Sequence, residues 1–434
     1  MKVLIISHLP ISNMTNMGKT FLSLFSFFDK NELCNFYIYP TIPNLDACSS
    51  YFRMTDEEIL KSYVKRRNIG KIVTYDSTSK LFENEKNEKL YRNPKNKKAV
   101  RCIFRDLMWK FSNWYVKKLK NWINIEKPNL IFLAPGNQKF IYEIAIKISK
   151  KYDLPIVTYI CDDYYFMNSG KTFASIVYHN LLKREIEKTL KMSKFFIGIS
   201  QEISNSYEKE FDIKSYTIMT GTNYCISNEI HNYKNAKKIN YFGNIRCNRY
   251  LSIFDIGLAL DEINKTLKTK YELHLYISEK DENILKKLKS CSSIVIHDYL
   301  YGPKFKETFF KSEILLHVEA FDTESIDRVK YSVSTKISDS LASGIPLFAY
   351  GPSVVSSINH LIRNECAYVC VDKTKLVDSL KDFFNNYDLR NHYSLNGLNT
   401  AKKYHDSQKN SKFIYKILQD MTSKEGEKNE NSSN

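Results

Sequence analysis

The stretch 334–346, STKISDSLASGIP, opens with two hydroxyls and a lysine, Ser334-Thr335-Lys336, and this combination suits a phosphate. Ile337 and Leu341 fall on one face of a helical pattern. Gly344 ends the pattern and Pro346 follows before the apolar run Leu347-Phe348-Ala349, which together form a helix-stop signal. The product is a helix N-terminus that presents hydroxyls, an ammonium and free N–H groups, all favourable to an anion. One turn further in stands Asp339, a carboxylate able to accept hydrogen bonds from a sugar diol. A diphosphate site beside a ribose site describes a nucleotide-sugar. The same residues also fit an ordinary helix of an α/β unit, with Ser-Thr-Lys as a cap and Asp339 on a solvated face.

Other candidates lie at the ends of apolar runs. Arg246 and Arg249 follow INYFG (239–243) and offer more positive charge, or a plain basic turn. Glu319 stands just past ILLHV. Asp162 and Asp163 close the run IVTYI (156–160), where a carboxylate can orient or deprotonate a hydroxyl. His8 follows the first apolar run in the same way. Each of these reads equally well as a cap or loop residue. The tripeptide Gly18-Lys19-Thr20 is not a Walker A loop, because Asn13 occupies the position that motif reserves for its first glycine.

These residues need a scaffold, and short apolar runs alternating with helical patterns supply one. The runs KVLIIS (2–7), FYIYP (36–40), LIFLAP (130–135), IVTYI, FFIGIS (195–200) and SYTIMT (215–220) read as strands. Thr55 with Glu58 predicts a helix start with a capping box. The spacing predicts one long helix over 100–124, and residues 77–98, polar and Lys/Asn-rich, predict a mobile insertion. Residues 221–238 lack periodicity and read as a linker. The alternation restarts with INYFG, ELHLYI (272–277), SIVIH (293–297), ILLHVEA (314–320), PLFAY and AYVCV, and 373–421 reads as wholly helical. The tail 422–434 is polar and predicts disorder. The pattern implies two α/β domains with parallel sheets, 1–222 and 239–405, with ligands at the carboxyl ends of the strands.

Length favours two or more domains: the chain has 434 residues, 43% of them hydrophobic. No apolar run approaches the ~20 residues that span a bilayer, and the start MKVLIISHLP is broken too early for a signal peptide. Nine scattered cysteines without a CxxC pair read as reduced thiols of a cytosolic protein, not a zinc site. The formal net charge of +17 raises the case for an anionic partner without choosing nucleic acid, lipid or a phosphorylated substrate. Residues 101–122 hold all three tryptophans (Trp109, Trp114, Trp122) among Lys and Arg. A helix of that kind suits either a membrane surface rich in anionic lipid or one face packed into a core.

With these residues in view, the chain resembles the GT-B glycosyltransferases, and TKISDSLASGIP resembles the nucleotide-sugar motif of their family 4 group. That motif runs Ser-Lys-Leu-x-Glu-Tyr-Leu-Ala-Ala-Gly-x-Pro. Thr335, Lys336, Ile337, Asp339, Ser340, Leu341, Ala342, Gly344 and Pro346 stand in register with it. YFGNIRCNRYLSIF (241–254) resembles the start of the family's C-terminal domain, and MKVLIIS with its loop to Gly18 resembles the family's first strand. LLHVEAFD (315–322) and CDDYYF (161–166) are similar to bacterial capsule and surface-polysaccharide transferases.

The resemblance implies two facing Rossmann-like domains, an N-terminal acceptor side and a C-terminal donor side, with a helix at 406–421 packing back on the first. It implies a hexosyltransferase-like enzyme that moves a sugar from a nucleotide-sugar to a polysaccharide or lipid-linked (polyprenyl) saccharide, with retention and without a bound metal or other cofactor. The implied setting is the cytoplasm, at the inner face of the plasma membrane. Gly18, Gly243, Arg246, Arg249, Ser334, Thr335, Lys336 and Asp339 are the implied donor contacts; Lys336, Glu319, Asp162 and Asp163 are the catalytic candidates. The chain departs from the family in two places. Tyr331 occupies the position eight before the motif carboxylate where an acid is common, and the shorter Asp339 replaces Glu. A basic nucleic-acid-binding protein and a catalytically degenerate GT-B scaffold are the alternative readings.

Overall fold

The computed structural model describes residues 1–64, 69–74, 99–168, 170, 172–222, 224–231 and 233–431. The insertion expected at 77–98 lies outside them. The chain forms two compact units, Met1–Met219 with Ser407–Asn434, and Thr220–Asp406.

The first unit is built on β1 (Val3–Ser7), β2 (Leu33–Tyr37), β3 (Ser50–Arg53), β4 (Lys71–Ile72), β5 (Leu130–Ala134), β6 (Ile156–Ile160), β7 (Ser193–Gly198) and β8 (Ser215–Thr217). They line up as β4-β3-β2-β1-β5-β6-β7-β8, and every pairing is parallel except β3 with β4. Every residue of β1, β2, β5 and β6 is buried, as a parallel sheet covered on both faces requires. Its helices are α1 (Asn16–Leu24), α2 (Asp56–Val64), α3 (Ala99–Phe111), α4 (Lys117–Glu126), α5 (Lys139–Tyr152), α6 (Phe173–Met192) and α7 (Gln201–Phe211).

The second unit carries β9 (Lys238–Phe242), β10 (Glu272–Ile277), β11 (Ile294–Asp298), β12 (Ile314–Val318), β13 (Leu347–Tyr350) and β14 (Tyr368–Cys370) in the order β11-β10-β9-β12-β13-β14, all parallel. Its helices are α8 (Arg249–Leu267), α9 (Glu282–Lys289), α10 (Gly302–Phe310), α11 (Thr323–Val329), α12 (Thr335–Ala342), α13 (Ser356–Arg363), α14 (Leu376–Asn385) and α15 (Tyr387–Tyr404). The last helix, α16 (Ser407–Asn431), belongs to the first unit. Its Ile414 and Leu418 enter that unit's core, and Ser411 Oγ accepts from the Phe27 N–H at 2.9 Å.

Several expectations change here. The helix expected over 100–124 is two, because Ser112 turns back to the Trp109 carbonyl (2.8 Å) and Val116 is extended. All three tryptophans are core residues: Trp109, Trp114 and Trp122 are 1%, 7% and 2% exposed. The indole N–H groups of Trp109 and Trp122 are spent on Asp56 and Ser50, each at 2.7 Å. The strand expected at 36–40 begins at Leu33, and β3 and β4 had no clear sequence signal. Residues 221–238 are not a free linker. Ser227 N donates to the Ala342 carbonyl (2.8 Å) and His231 N to the Gly344 carbonyl (2.9 Å), packing the segment against the end of α12. The helical stretch 373–421 breaks at Asn386 and at His405-Asp406, and the tail expected to be disordered continues α16 to Asn431. All nine cysteines are free thiols. No helix among the described residues is long and apolar enough to cross a membrane.

Arg390 on α15 shows how the second unit closes. Its side chain is completely buried and donates to the carbonyls of Phe383 (2.7 Å), Phe384, Tyr233 (2.9 Å) and Lys234 (3.2 Å). It therefore ties the 221–238 segment to α14. Arg390→Met removes the charge and leaves four carbonyls unpaired, so urea unfolding should show a loss on the order of 3–5 kcal/mol.

Candidate functional site

The candidate site of the second unit forms where β9, β12 and α12 end or begin. Gly243 follows β9 at φ 128°, and a Cβ placed there would lie 1.7 Å from Lys336 Nζ. The missing side chain is what lets Lys336 lie across the β9–α8 turn. Its ammonium sits over the ring of Tyr241 at 5.1 Å. It makes no hydrogen bond or ion pair among the described residues. Burial and the neighbouring Arg249 cation pull its pKa down to about 8, against the opposing pull of Glu319.

Arg249 opens α8 and is already paired. Its Nε donates to Glu319 Oε2 at 2.9 Å and its Nη2 to Oε1 at 3.1 Å, a two-point fork. Glu319 is 2% exposed and also accepts from Ser357 Oγ (3.2 Å), with His317 Nε2 3.4 Å away. Burial pushes its carboxyl up, but His317 and Arg249 outweigh that, and it is held below the usual carboxylate range. Glu319, a catalytic candidate from the sequence, thus has both oxygens engaged in holding Arg249. The backbone before α8 is unusual, with Cys247 and Asn248 both left-handed (φ 53° and 52°). No side chain caps that helix start, while Asn248 Nδ2 donates to Asp322 Oδ2 at 3.2 Å. Arg246 is exposed and its side chain makes no contact of this kind among the described residues.

The start of α12 is as its sequence predicts. Ser334 caps it by accepting from Lys336 N at 3.4 Å, and Thr335 opens the helix. Gly344 is left-handed (φ 73°) and meets the Glu229 carbonyl. Asp339 Oδ1 accepts from Thr222 Oγ1 at 2.9 Å, which draws the segment after β8 to this helix. Tyr224, two residues on, has its hydroxyl pKa pushed up to about 12 by burial and by Asp339. Among the described residues no group of three His, Cys, Asp or Glu side chains is placed to hold a metal ion.

The first unit uses its candidates differently. Asp163 is 7% exposed, and its Oδ1 accepts from the N–H groups of Tyr165 (2.9 Å) and Phe166 (3.0 Å) and from the Tyr207 hydroxyl (2.8 Å). It is a turn cap, not a base. Asp162 is half-buried and its Oδ2 accepts from Tyr164 at 3.2 Å. Gly18 lies in the first turn of α1, where a Cβ would meet the Ser12 carbonyl at 2.3 Å, so it lets the β1–α1 loop lie against the helix. His8 is kept neutral, with a pKa near 3, by burial and Arg105.

Sequence reasoning missed Tyr241, His317, Ser357, Thr222 and Tyr224. His317 and Glu319 were legible as neighbours on one strand face at i and i+2. The others come from distant segments and carried no local signal.

The fold has solved counterparts. HepE of Anabaena, solved with UDP-glucose, matches at a TM-score of 0.60 and 10% identity, covering 97% of this chain and all of that one. Sucrose-phosphate synthase of Thermosynechococcus elongatus matches at 0.62 and 9%, covering 98% and 100%. WaaG, a glycosyltransferase involved in lipopolysaccharide biosynthesis, matches at 0.54 and 11%, covering 95% and 99%. The chain thus has the GT-B fold. No protein-family model and no curated protein sequence matches it significantly.

Lys336 binds an anion only while protonated, so the free protein's affinity for pyrophosphate should fall as pH rises through about 8. Lys336→Arg, whose charge does not titrate there, should remove that component of the pH profile measured by calorimetry. Gly243→Ala should displace the ammonium and weaken pyrophosphate at least tenfold at pH 7; unchanged affinity would refute the arrangement.

Proposed function

We propose that this protein is a glycosyltransferase that moves a sugar from a nucleotide-sugar donor to a saccharide acceptor. The observation that carries the reading is the unpaired Lys336 ammonium, seated over Gly243 beside the Arg249–Glu319 pair at the openings of α8 and α12. Breaking the bond between the sugar's anomeric carbon and the phosphate oxygen puts negative charge on the leaving diphosphate. Fixed positive charge there is the largest help a protein can offer. Lys336 supplies a charge with no direct ion pair among the described residues; Arg249 supplies directed N–H groups, its net charge balanced by Glu319. Asp339 takes the ribose hydroxyls, in exchange for or alongside Thr222. Gly18, which lets the β1–α1 loop lie against α1, remains a donor contact of this reading through the family resemblance. The acceptor oxygen bonds to the anomeric carbon as the carbon–oxygen bond to the diphosphate breaks, and the hydroxyl proton passes to the departing diphosphate. UDP-glucose is the donor that HepE was solved with, and a uridine diphosphate sugar is the first donor to test here.

The reading extends to a retaining, metal-independent transfer in surface-polysaccharide assembly, with a polyprenyl-linked acceptor, in the cytoplasm at the inner membrane face. The membrane part rests on α3. Val100, Phe104, Leu107 and Phe111 are 65%, 63%, 44% and 71% exposed and recur at helical spacing on one face. Exposed Arg101, Lys110, Lys117, Lys118 and Lys120 accompany them, a charge pattern complementary to anionic lipid.

A thermal-shift series over UDP-, GDP-, ADP-, CMP- and dTDP-sugars should single out one nucleotide, adding about 2.7 kcal/mol of stability at a hundredfold excess over Kd. With that donor, Lys336→Ala should lose roughly 2–4 kcal/mol of transition-state stabilisation in kcat/KM. Near-normal kcat/KM would remove Lys336 from the chemistry. No shift with any donor would return the chain to its degenerate-scaffold reading. Activity unaffected by EDTA, with an α-linked product from an α-linked donor by NMR, is the expected outcome for the retaining, metal-independent mechanism. In liposome flotation the wild type should rise with vesicles containing phosphatidylglycerol, and a Phe104→Ser/Phe111→Ser variant should not. Equal behaviour of the two proteins would end the membrane assignment.

A further inference from the structure

The C-terminal edge of the first unit's sheet holds a guanidinium with two buried nitrogens that make no hydrogen bond. Register aligns Ser7 of β1 with Tyr37 of β2 and Tyr37 with Arg53 of β3, so these three strands end together. Arg53 is the last residue of β3 and only 6% exposed. Its Nε and Nη1 are sealed from solvent and make no hydrogen bond, and no carboxylate pairs with it among the described residues. The nearest acids in sequence are engaged elsewhere. Glu58 accepts from Thr55 N (2.8 Å) and Oγ1 (3.3 Å), and Asp56 holds Arg105 Nε (2.8 Å) and the Trp109 indole (2.7 Å). A buried charge without a partner opposes folding, and proteins retain such groups where a ligand completes them.

Other unsatisfied polar atoms gather at the same edge. Thr41 Oγ1 is buried and unbonded, while its carbonyl accepts from the Tyr37 hydroxyl at 3.2 Å. Tyr37 in turn feels the Arg53 charge. His8, one residue past β1, has an unbonded buried Nδ1, and its ring lies 5.4 Å from that of Tyr39. Arg105, close enough to His8 to act on its charge, keeps a buried Nη2 without a bond while Nη1 donates to Gln138 at 2.6 Å. At this strand end Arg53 keeps two N–H-bearing nitrogens unused, and the Thr41 hydroxyl, whose residue is tied to Tyr37, is also unbonded. A phosphate or carboxylate satisfies such a set, through a two-point contact with the planar Arg53 fork.

We propose that Arg53, with Thr41 at the same strand end, forms a binding site for an oxyanion in the first unit, and that this site holds the anionic group of the acceptor. The oxyanion site stands on its own geometry; its assignment to the acceptor rests on the glycosyltransferase reading.

The test is thermal unfolding of the full-length protein titrated with inorganic phosphate or with glucuronate, at constant ionic strength. The wild type should be stabilised by at least one of them. A larger phosphate response assigns a phosphorylated acceptor, and a larger glucuronate response assigns a uronic acid. Arg53→Met should raise Tm in anion-free buffer, because it removes the unsatisfied charge, and should weaken the anion response at least tenfold. Lys336→Ala should keep the response, which separates this site from the donor site. Equal responses in wild type and Arg53→Met, or loss of the response in Lys336→Ala, would overturn the proposal, as would no response in the wild type. If Arg53→Met does not fold, Arg53→Lys keeps the charge without the fork and should bind several-fold more weakly; unchanged affinity in that variant also overturns it. A wild type that answers phosphate but no nucleotide-sugar would sink the donor reading and leave the oxyanion site standing.

Discussion

The buried carboxylate of Glu319 governs the electrostatics of the second unit. It is surrounded by Arg249, His317 and Ser357, and its own backbone is pinned by Tyr350 and Ser252. A charge this deep persists only when its partners are complete. Its effect is selective: it pairs directly with Arg249 and acts on Lys336 only at longer range. Gly243 then provides the only kind of surface, one without a side chain, on which the lysine can rest. Helix openings, a free ammonium and a directed guanidinium are thereby concentrated at the carboxyl ends of β9 and β12, where ligands of open α/β sheets bind.

The two units share an architecture and solve different problems with it. Both are largely parallel sheets whose central strands are buried and whose candidate chemistry lies at strand ends. In the second unit the cation is aimed by a buried acid. In the first, Arg53 has no such acid among the described residues, and the carboxylate that the sequence offered as a base, Asp163, is spent on closing a turn.

Much of the fold was legible because it is local. The Gly344–Pro346 stop, the Ser334 cap and the alternation of apolar runs follow from the chain's own torsional and hydrogen-bonding preferences. The Thr55–Glu58 capping box is present as spaced. What misled was also physical. The periodicity of 100–124 continues across a break that Ser112 and Val116 impose. The segment 221–238 looks polar because it pairs through its backbone with α12 and Arg390, which asks little of its side chains.

The sequence by itself determined the α/β class, the helix that begins at Thr335, and the lysine and hydroxyls at its start. These depend on residues within a few positions of one another. Only the tertiary structure decided that Arg249 is paired and that Lys336 is not among the described residues, that Glu319 supports an arginine, that the tryptophans are core, and that Arg53 is buried with two nitrogens unbonded. Each of those depends on which distant side chain arrives within about 3 Å, and desolvation makes that meeting, or its failure, decisive for the charge.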